Sequence, residues 1–433
     1  MKLKHKLKLM PGLRLIFGFA SIIIIGGILL LLPISHQSGK SISVVNSFFI
    51  SASAVCVTGL STIDIGNTLS IFGSIVLATL IQLGGLGFAS FAVFFLMIIG
   101  NSLSYSNLTL ARESLNTIPG FDIRALVKTV IITSLICEIT GTLLFYLTFR
   151  LDYPTLKAIG LSVFHSISSF NNAGFDLLGN FTSISNYNND ILLNLTTAVL
   201  IIIGGLGFFV IYDLFSYKKN KRLTTHTKIV LTMSGSLLLI GTFVFYISEN
   251  GISILEAFFQ SVTTRTAGFN TISIPGLSNA SVVIMLFLMF VGASPGSTGG
   301  GIKTTTMFTI LLSIIKIPAH NTVNAFYRKI SDSSIIKAFL VAAFAVFAII
   351  ITGGIIFSIE GNAFTFEEVI FECVSAFATV GLSMGITTHL SSCSKIFLII
   401  LMFIGRLGPL TIAFSWRASA KRFHYIEENI LIG

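Results

Sequence analysis

Four short segments decide what this chain can become. They read CVTGLS (56–61), NNAGFD (171–176), RTAGFN (265–270) and ATVGLS (378–383), and each centres on one glycine: Gly59, Gly174, Gly268 and Gly381. Each glycine is followed by Leu or Phe, and ten residues before it stands Phe49, Phe164, Phe258 or Phe371. A second element recurs downstream as GGLG at 84–87 and 204–207, GASP at 292–295 and GRLG at 405–408. It starts 24 or 25 residues after the glycine in three copies and 30 after it in the second, where SISNYNND intervenes. One unit repeated four times along the chain satisfies both spacings.

The solvent of that unit follows from composition. Of 433 residues, 53% are hydrophobic and 10% charged, against about 25% charged in soluble domains. Mean hydropathy is +0.92. Such a chain belongs in a bilayer. Long apolar runs cover about 13–33, 72–99, 125–149, 191–215, 228–248, 279–316, 335–359 and 395–416. The segments ahead of the glycines, about 48–57, 163–172, 256–266 and 369–379, are half the length of about 20 that a spanning helix needs. They are expected to enter the membrane and return. The first run, Leu15 to Leu32, follows a basic arm and is not followed by an A-x-A-like cleavage site, so it reads as a retained first helix.

Charge tests the count of crossings. With eight spans, 20 Lys and Arg fall on the side of both termini and five on the other: Lys40, Arg150, Lys157, Arg265 and Lys395. Ten acidic residues lie on that poorer side. The positive-inside rule then makes the termini cytoplasmic. Three crossings per unit would put the basic loops 100–124 and 316–337 outside, against the rule. Two crossings per unit make the four units parallel. The net charge of +10 needs no nucleic acid to explain it, and no nucleic-acid-binding motif is present.

A short helix ending at mid-membrane exposes carbonyls that carry partial negative charge. Four such ends on one axis favour a cation. The chain can return without helical hydrogen bonds only where it lines a watery path, and glycine lets successive carbonyls turn inward. The residues expected to form this filter are Val57, Thr58 and Gly59; Asn172, Ala173 and Gly174; Thr266, Ala267 and Gly268; and Thr379, Val380 and Gly381. A potassium ion is expected at the four glycines. Asp176 is the one acid in the four segments, so no carboxylate ring forms, and Arg265 is expected to bond back to protein.

Together NNAGF, TRTAGFN, TVGLSMG, IQLGGLGF and IGRLGPLT resemble the Trk/Ktr/HKT superfamily of potassium transporters, over essentially the whole chain. Within it they look like the KtrB-type membrane subunits of bacterial Ktr systems. The resemblance implies an all-α polytopic membrane protein of four parallel M1–pore loop–M2 repeats, with eight transmembrane helices and four re-entrant pore helices around one central pore. The repeats would cover 1–105, 106–217, 218–325 and 326–433. It further implies a homodimer, a cytosolic RCK-type (KtrA-like) regulatory subunit that binds ATP or ADP, and stimulation by Na⁺. The basic loops 217–228 and 316–337 and the tail RFHYIEENILIG are expected contact surfaces. Where potassium channels carry TVGYG, only the central glycine is kept here. One dominant K⁺ site and a less strict exclusion of Na⁺ are therefore expected.

The third M2 run is interrupted by GASPGSTGGGIKTTT, 292–306. Glycine and proline are the poorest residues for a helix interior. The other three copies are expected to run as intact helices. Arg406 stands where those copies have Gly85, Gly205 and Ala293, and an arginine within a span is functional by default. The resemblance implies an intramembrane loop that gates conduction. The expected gate comprises Gly292, Ser294, Gly296, Ser297, Thr298, Gly299, Gly300, Gly301, Lys303 and Arg406, with Arg406 held by carbonyls and hydroxyls of Ser294, Ser297 and Thr298.

GSTGGGIKT approximates a phosphate-binding loop, but Ile302 displaces Lys303 by one position, so this chain is expected to bind no nucleotide. Cys56, Cys137, Cys373 and Cys393 lack metal-ligand spacing, and His165 and His389 lack paired acids. The chain does not read as an enzyme. A Trk-type carrier coupled to H⁺ or Na⁺ remains the alternative to a channel-like path, with Glu138 the carboxylate deep in a span.

Overall fold

The computed structural model describes residues 11–99, 105–115, 122–320 and 322–408; the basic arm and the tail RFHYIEENILIG lie outside them. In order, the helices are α1 (Pro11–Leu31), α2 (Val44–Val55), α3 (Ile65–Thr68), α4 (Ile71–Leu86), α5 (Phe88–Ile98), α6 (Tyr105–Ser114), α7 (Ile123–Asp152), α8 (Thr155–Phe170), α9 (Ile191–Leu206) and α10 (Phe208–Asn220). They continue with α11 (Thr225–Ser248), α12 (Ile254–Thr266), α13 (Asn279–Phe290), α14 (Thr304–His320), α15 (Asp332–Glu360), α16 (Phe366–Ala378) and α17 (Ser392–Leu407). A small hairpin, β1 (Asn324–Ala325) and β2 (Arg328–Lys329), precedes α15. Among the described residues four helices are long and apolar enough to cross a membrane, or up to six spans if two bent pairs are each counted as one.

The short helices α2, α8, α12 and α16 each lie against the long helix before them. Their starts are written in the sequence. Ser253 and Thr365 cap α12 and α16 in reciprocal boxes with Glu256 and Glu368, and Ser43 caps α2 alone. Each box satisfies two backbone donors that the first turn would otherwise leave free. Along their length the contact is polar and close. Ser51 donates to the Ile23 carbonyl, Ser166 to Glu138 and Ser261 to Leu238, at 2.7, 2.7 and 2.9 Å. Small residues opposite permit that approach, which is how membrane helices associate without a hydrophobic drive.

The ends of the short helices correct the sequence register. In α2, α8 and α16 the helix is followed by a left-handed residue, Val57, Asn172 or Thr379, with φ of 58°, 57° and 53°. After α12 no such residue intervenes: Ala267 caps the helix at φ −116° and Gly268 follows directly. The third segment is therefore one residue shorter. The fully buried ring that matches Phe49 and Phe371 is Phe259, not Phe258. A second adjacent phenylalanine had concealed the deletion.

The expected continuous runs 72–99 and 191–215 are also corrected. α4 and α5 meet at 89°, and α9 and α10 at 92°. The break falls at one residue, Gly87 or Gly207, with φ, ψ of 79°, 123° and 92°, 135°. Gly408 ends α17 in the same conformation, 84° and 134°. Only glycine reaches that region without a Cβ clash. The third copy breaks differently: α13 stops at Phe290, and a non-helical loop runs to α14 at Thr304.

Candidate functional site

The four glycines close a ring. Gly59, Gly174, Gly268 and Gly381 have φ of 92°, 68°, 80° and 93°. A Cβ on Gly59 would meet the Ala173 carbonyl oxygen, one on Gly174 that of Ala267, one on Gly268 that of Val380, and one on Gly381 that of Thr58. Each glycine thus packs against the carbonyl preceding the next glycine, and the fourth returns to the first. Glycine is required twice at each position, by the positive φ and by this approach. Thr58, Ala173, Ala267 and Val380, the residues just before the glycines, are buried. The hydroxyl of Ser53 accepts the Gly59 N–H and that of Ser375 accepts the Gly381 N–H, both at 3.1 Å. The Asn172 amide and the Thr266 hydroxyl pair across two segments at 2.6 Å.

Cavities stand on both sides of this level. One, of about 740 Å³, is lined by all four glycines and by Asp64, Asp176 and Ser383. The other, of about 420 Å³, is lined by Gly85, Gly299, Lys303 and Arg406. Arg265 faces neither; it is buried and donates to Ser234 at 3.3 Å, so its charge is turned back into the protein. Among the described residues there is no group of three or more His, Cys, Asp or Glu that could hold a metal ion.

Between the cavities lies the loop from Gly292 to Lys303. Its backbone groups, freed from helix, find partners on neighbouring elements. Ser294 N–H donates to the Gly205 carbonyl at 3.1 Å, Thr298 N–H to Gly204 at 3.2 Å, and Phe208 N–H to Gly296 at 2.9 Å. Gly300 N–H donates to the Thr379 hydroxyl at 3.0 Å. Gly299 and Gly300 carry no side chain where Thr266 and Thr379 fill the space. The loop therefore touches the residues flanking the glycine ring. Gly296 and Gly301, at φ 66° and 70°, make its turns. The Ser294 hydroxyl accepts from Thr304 at 3.0 Å, while the buried Ser297 hydroxyl takes no partner among the described residues. Lys303 donates to the Gly299 carbonyl at 2.8 Å and closes the loop on itself.

Arg406 ties two elements. One guanidinium nitrogen donates to the Thr298 carbonyl of the loop, and another to the carbonyls of Gly84 and Gly85 at the end of α4, the latter at 3.0 Å. The expected partners Ser294 and Ser297 are not used. Carbonyls win because a planar fork reaches two converging backbone strands at once. Gly84 and Gly85 were missed, since they are partners only when the chain closes on itself.

Two further polar features stand out, Glu138, which the sequence had singled out, and Glu372, which it had not. Glu138 on α7 accepts from Gln82 on α4 at 2.7 Å, and Asn171 donates to the same Gln82 at 2.7 Å. Glu372, one residue after Phe371 on α16, is buried and accepts from Thr387 at 3.0 Å and from Ser383. Only the four-copy register singles it out, because its counterparts are Ile50, His165 and Gln260.

Known proteins carry the same pattern. The sequence profile of the cation transport protein family TrkH matches residues 20–245 and 223–425. The Ktr system potassium uptake protein B of Bacillus subtilis is 37% identical over 438 residues, covering 98% of this chain and 97% of that one. The potassium/sodium uptake protein NtpJ of Enterococcus hirae is 34% identical over 451 residues, covering 100% and 99%. The crystal structure of the potassium transporter TrkH from Vibrio parahaemolyticus superposes with a TM-score of 0.75 at 20% identity, covering 96% of this chain and 88% of that one.

Proposed function

The chain belongs to the TrkH family of cation transport proteins, a multi-pass membrane family and not one of enzymes, and we infer that this member conducts K⁺ through the ring of Gly59, Gly174, Gly268 and Gly381. The ring itself carries the reading: each glycine packs against the carbonyl preceding the next glycine, and the fourth returns to the first. Carbonyl oxygens in that arrangement replace an ion's hydration shell, and the ends of four short helices add their partial negative charge. One carbonyl level per unit supports a single dominant K⁺ site with incomplete exclusion of Na⁺. The two relatives' names, one for potassium uptake and one for potassium/sodium uptake, agree with that cargo.

The unit boundaries 1–105, 106–217, 218–325 and 326–433 follow the same logic. The loop at 292–306 serves as the gate. Arg406 holds it under the ring, where a fixed positive charge and a plug of backbone oppose cation flow. The chain carries no cytosolic sensor within its short loops, so a separate nucleotide-binding RCK-type subunit opens the gate. The Ktr system names of relatives fit such a multi-component assembly. Its docking surface would include the hairpin β1–β2, whose turn residue Tyr327 is fully exposed beside Lys228, 5.9 Å over the Phe326 ring. We assign the termini to the cytoplasmic side of the cytoplasmic membrane, following the basic loops, and a homodimer on the resemblance to Ktr systems.

The decisive experiment is K⁺ uptake by the full chain in cells lacking other K⁺ uptake, with and without the regulator and Na⁺. Uptake that follows the K⁺ gradient and membrane potential supports the channel-like reading. Uptake that runs against both, driven by H⁺ or Na⁺, replaces it with coupled transport.

A further inference from the structure

The four pore helices differ at the residue following the buried phenylalanine. It is Ile50, His165, Gln260 or Glu372, and all four are buried. Glu372 is the one carboxylate, with 1% of its surface exposed. Its Oε1 accepts from the hydroxyls of Ser383 and Thr387, which also lie 3.0 Å from each other. Oε2 takes no hydrogen bond from any described residue. Ser383 is two residues beyond Gly381, and Ser383 and Thr387 both line the cavity above the glycine ring.

The residue at the matching position in the other strands makes no such bond to its own pore helix. Ser61 donates to the Ile63 carbonyl, Asp176 accepts the Leu178 N–H, and the Asn270 N–H donates to Ser183. Only the fourth strand is tied to the body of its own pore helix by a charged side chain. Taking a carboxylate out of water costs several kcal/mol, and two hydroxyls return only part of that. Packing alone would favour an apolar residue such as Ile50. A buried acid with one free oxygen, hung between pore helix and strand, fits a residue kept for what it positions.

We propose that Glu372, acting through Ser383 and Thr387, is a positioning residue that fixes the strand after Gly381 and so sets the K⁺/Na⁺ discrimination of the glycine ring. The inference rests on the proposed conduction through that ring. The Ser383 hydroxyl also accepts the Gly385 N–H at 2.8 Å, so the bond to Glu372 joins the pore helix to the turn of the strand, whose Leu382 and Ile386 side chains are buried. Freed from Glu372, the Gly381 carbonyl would relax its spacing, and a smaller ion would be rejected less well.

The test uses the full chain in proteoliposomes and compares wild type with Glu372→Ala, Glu372→Gln and the double change Ser383→Ala/Thr387→Ala. We expect Glu372→Ala to raise the Na⁺/K⁺ permeability ratio about fivefold and the K⁺ half-saturation by a similar factor, with maximal flux nearly unchanged. Glu372→Gln keeps an acceptor oxygen and should recover most of the discrimination. The double change should reproduce the effect, and adding Glu372→Ala to it should shift the ratio no further, as groups acting as one unit behave. Should Glu372→Ala fail to fold, the double change removes two cavity-lining hydroxyls and one methyl and reads the same ratio. A K⁺-selective wild type whose double variant keeps the wild-type ratio overturns this inference alone. A wild type that moves K⁺ and Na⁺ without distinction overturns the proposed filter and this inference together.

Discussion

The helices that end below the glycine ring break in two ways. Gly87 and Gly207 each turn the chain within one residue, and Gly408, which ends α17, has nearly the same φ and ψ. The third copy uses the whole stretch between Phe290 and Thr304. A one-residue turn leaves helix on both sides and frees few backbone groups. A long loop frees many, and in a membrane each must be satisfied within the protein. Here they are satisfied by α9, α10, the Thr379 hydroxyl and Arg406. Helical hydrogen bonds cannot be exchanged without unfolding the helix. Bonds to a neighbour can be exchanged for others when the neighbour moves. On the proposed gating, the loop is the element free to exchange its partners, and the glycine turns are not.

The largest expected effect comes from removing the holder. Arg406→Ala deletes hydrogen bonds to Thr298, Gly84 and Gly85. Charge-assisted bonds contribute about 1.5–3 kcal/mol each, so losing even part of them should raise K⁺ flux without the regulator by about tenfold or more. Flux at or below the wild-type level in proteoliposomes would make Arg406 a strut and leave the loop a fixed plug.

Next comes the ring above the loop. Gly381→Ser forces a side chain into left-handed backbone and against the Thr58 carbonyl. A residue held in such a conformation costs about 1–3 kcal/mol, and relief of that strain would displace the carbonyls that face the ion. The K⁺ half-saturation should rise about tenfold by the arithmetic of 1.4 kcal/mol per decade. An unchanged half-saturation and Na⁺/K⁺ ratio would remove Gly381 from the ion's path.

These two sites were unequally legible. The glycines announce themselves because four copies agree, and periodic apolar runs give the membrane class directly. The register of the third copy was hidden, since Phe258 and Phe259 both satisfy an approximate spacing while only Phe259 is fully buried. The turns at Gly87 and Gly207 were invisible for a physical reason. Hydropathy records burial, and α4 with α5 is apolar throughout, bent or straight. That one glycine of GGLG sits at positive φ is a backbone property with no composition signature. Arg406 was legible as an anomaly, but its acceptors on α4 are more than three hundred residues distant in the chain, and only closure of the ring brings them together. Glu372 carries no sequence signal beyond its alignment with Ile50, His165 and Gln260, and the one-residue deletion in the third copy hides that alignment.

A matched pair of substitutions separates turn from loop. Gly87→Ala and Gly207→Ala impose similar backbone strain, at φ 79° and 92°. At Gly87 the new methyl meets the Ser114 hydroxyl, a side chain that can rotate away; at Gly207 it meets the Pro295 carbonyl of the loop. Both variants should lose about 1–3 kcal/mol of stability, read as a lower melting temperature in detergent. Only Gly207→Ala should also alter regulator-free flux, by a few-fold. Equal flux changes in both would mean that the turns, and not the loop alone, move during gating.

The smallest expected effect lies far from the loop and serves as its control. Glu249, just past α11, accepts the Ser278 N–H and hydroxyl at 2.8 and 2.7 Å, joining α11 to the start of α13. Burial would push its carboxyl up, but hydrogen bonds from the Ser281 and Ser278 hydroxyls and the Ser278 N–H hold it below the usual glutamate value. A depressed value means that the ionised form favours the folded state. Its contribution is present above about pH 4.3, the unfolded value, and is lost as pH falls through the lower folded one. Glu249→Gln should therefore cost a little stability at pH 7 and progressively less as pH falls through the lowered folded value, with K⁺ flux at pH 7 unchanged. A flux change as large as that of Arg406→Ala would show that α13 moves as a whole with the loop, and that the break at Phe290 is not where the motion starts.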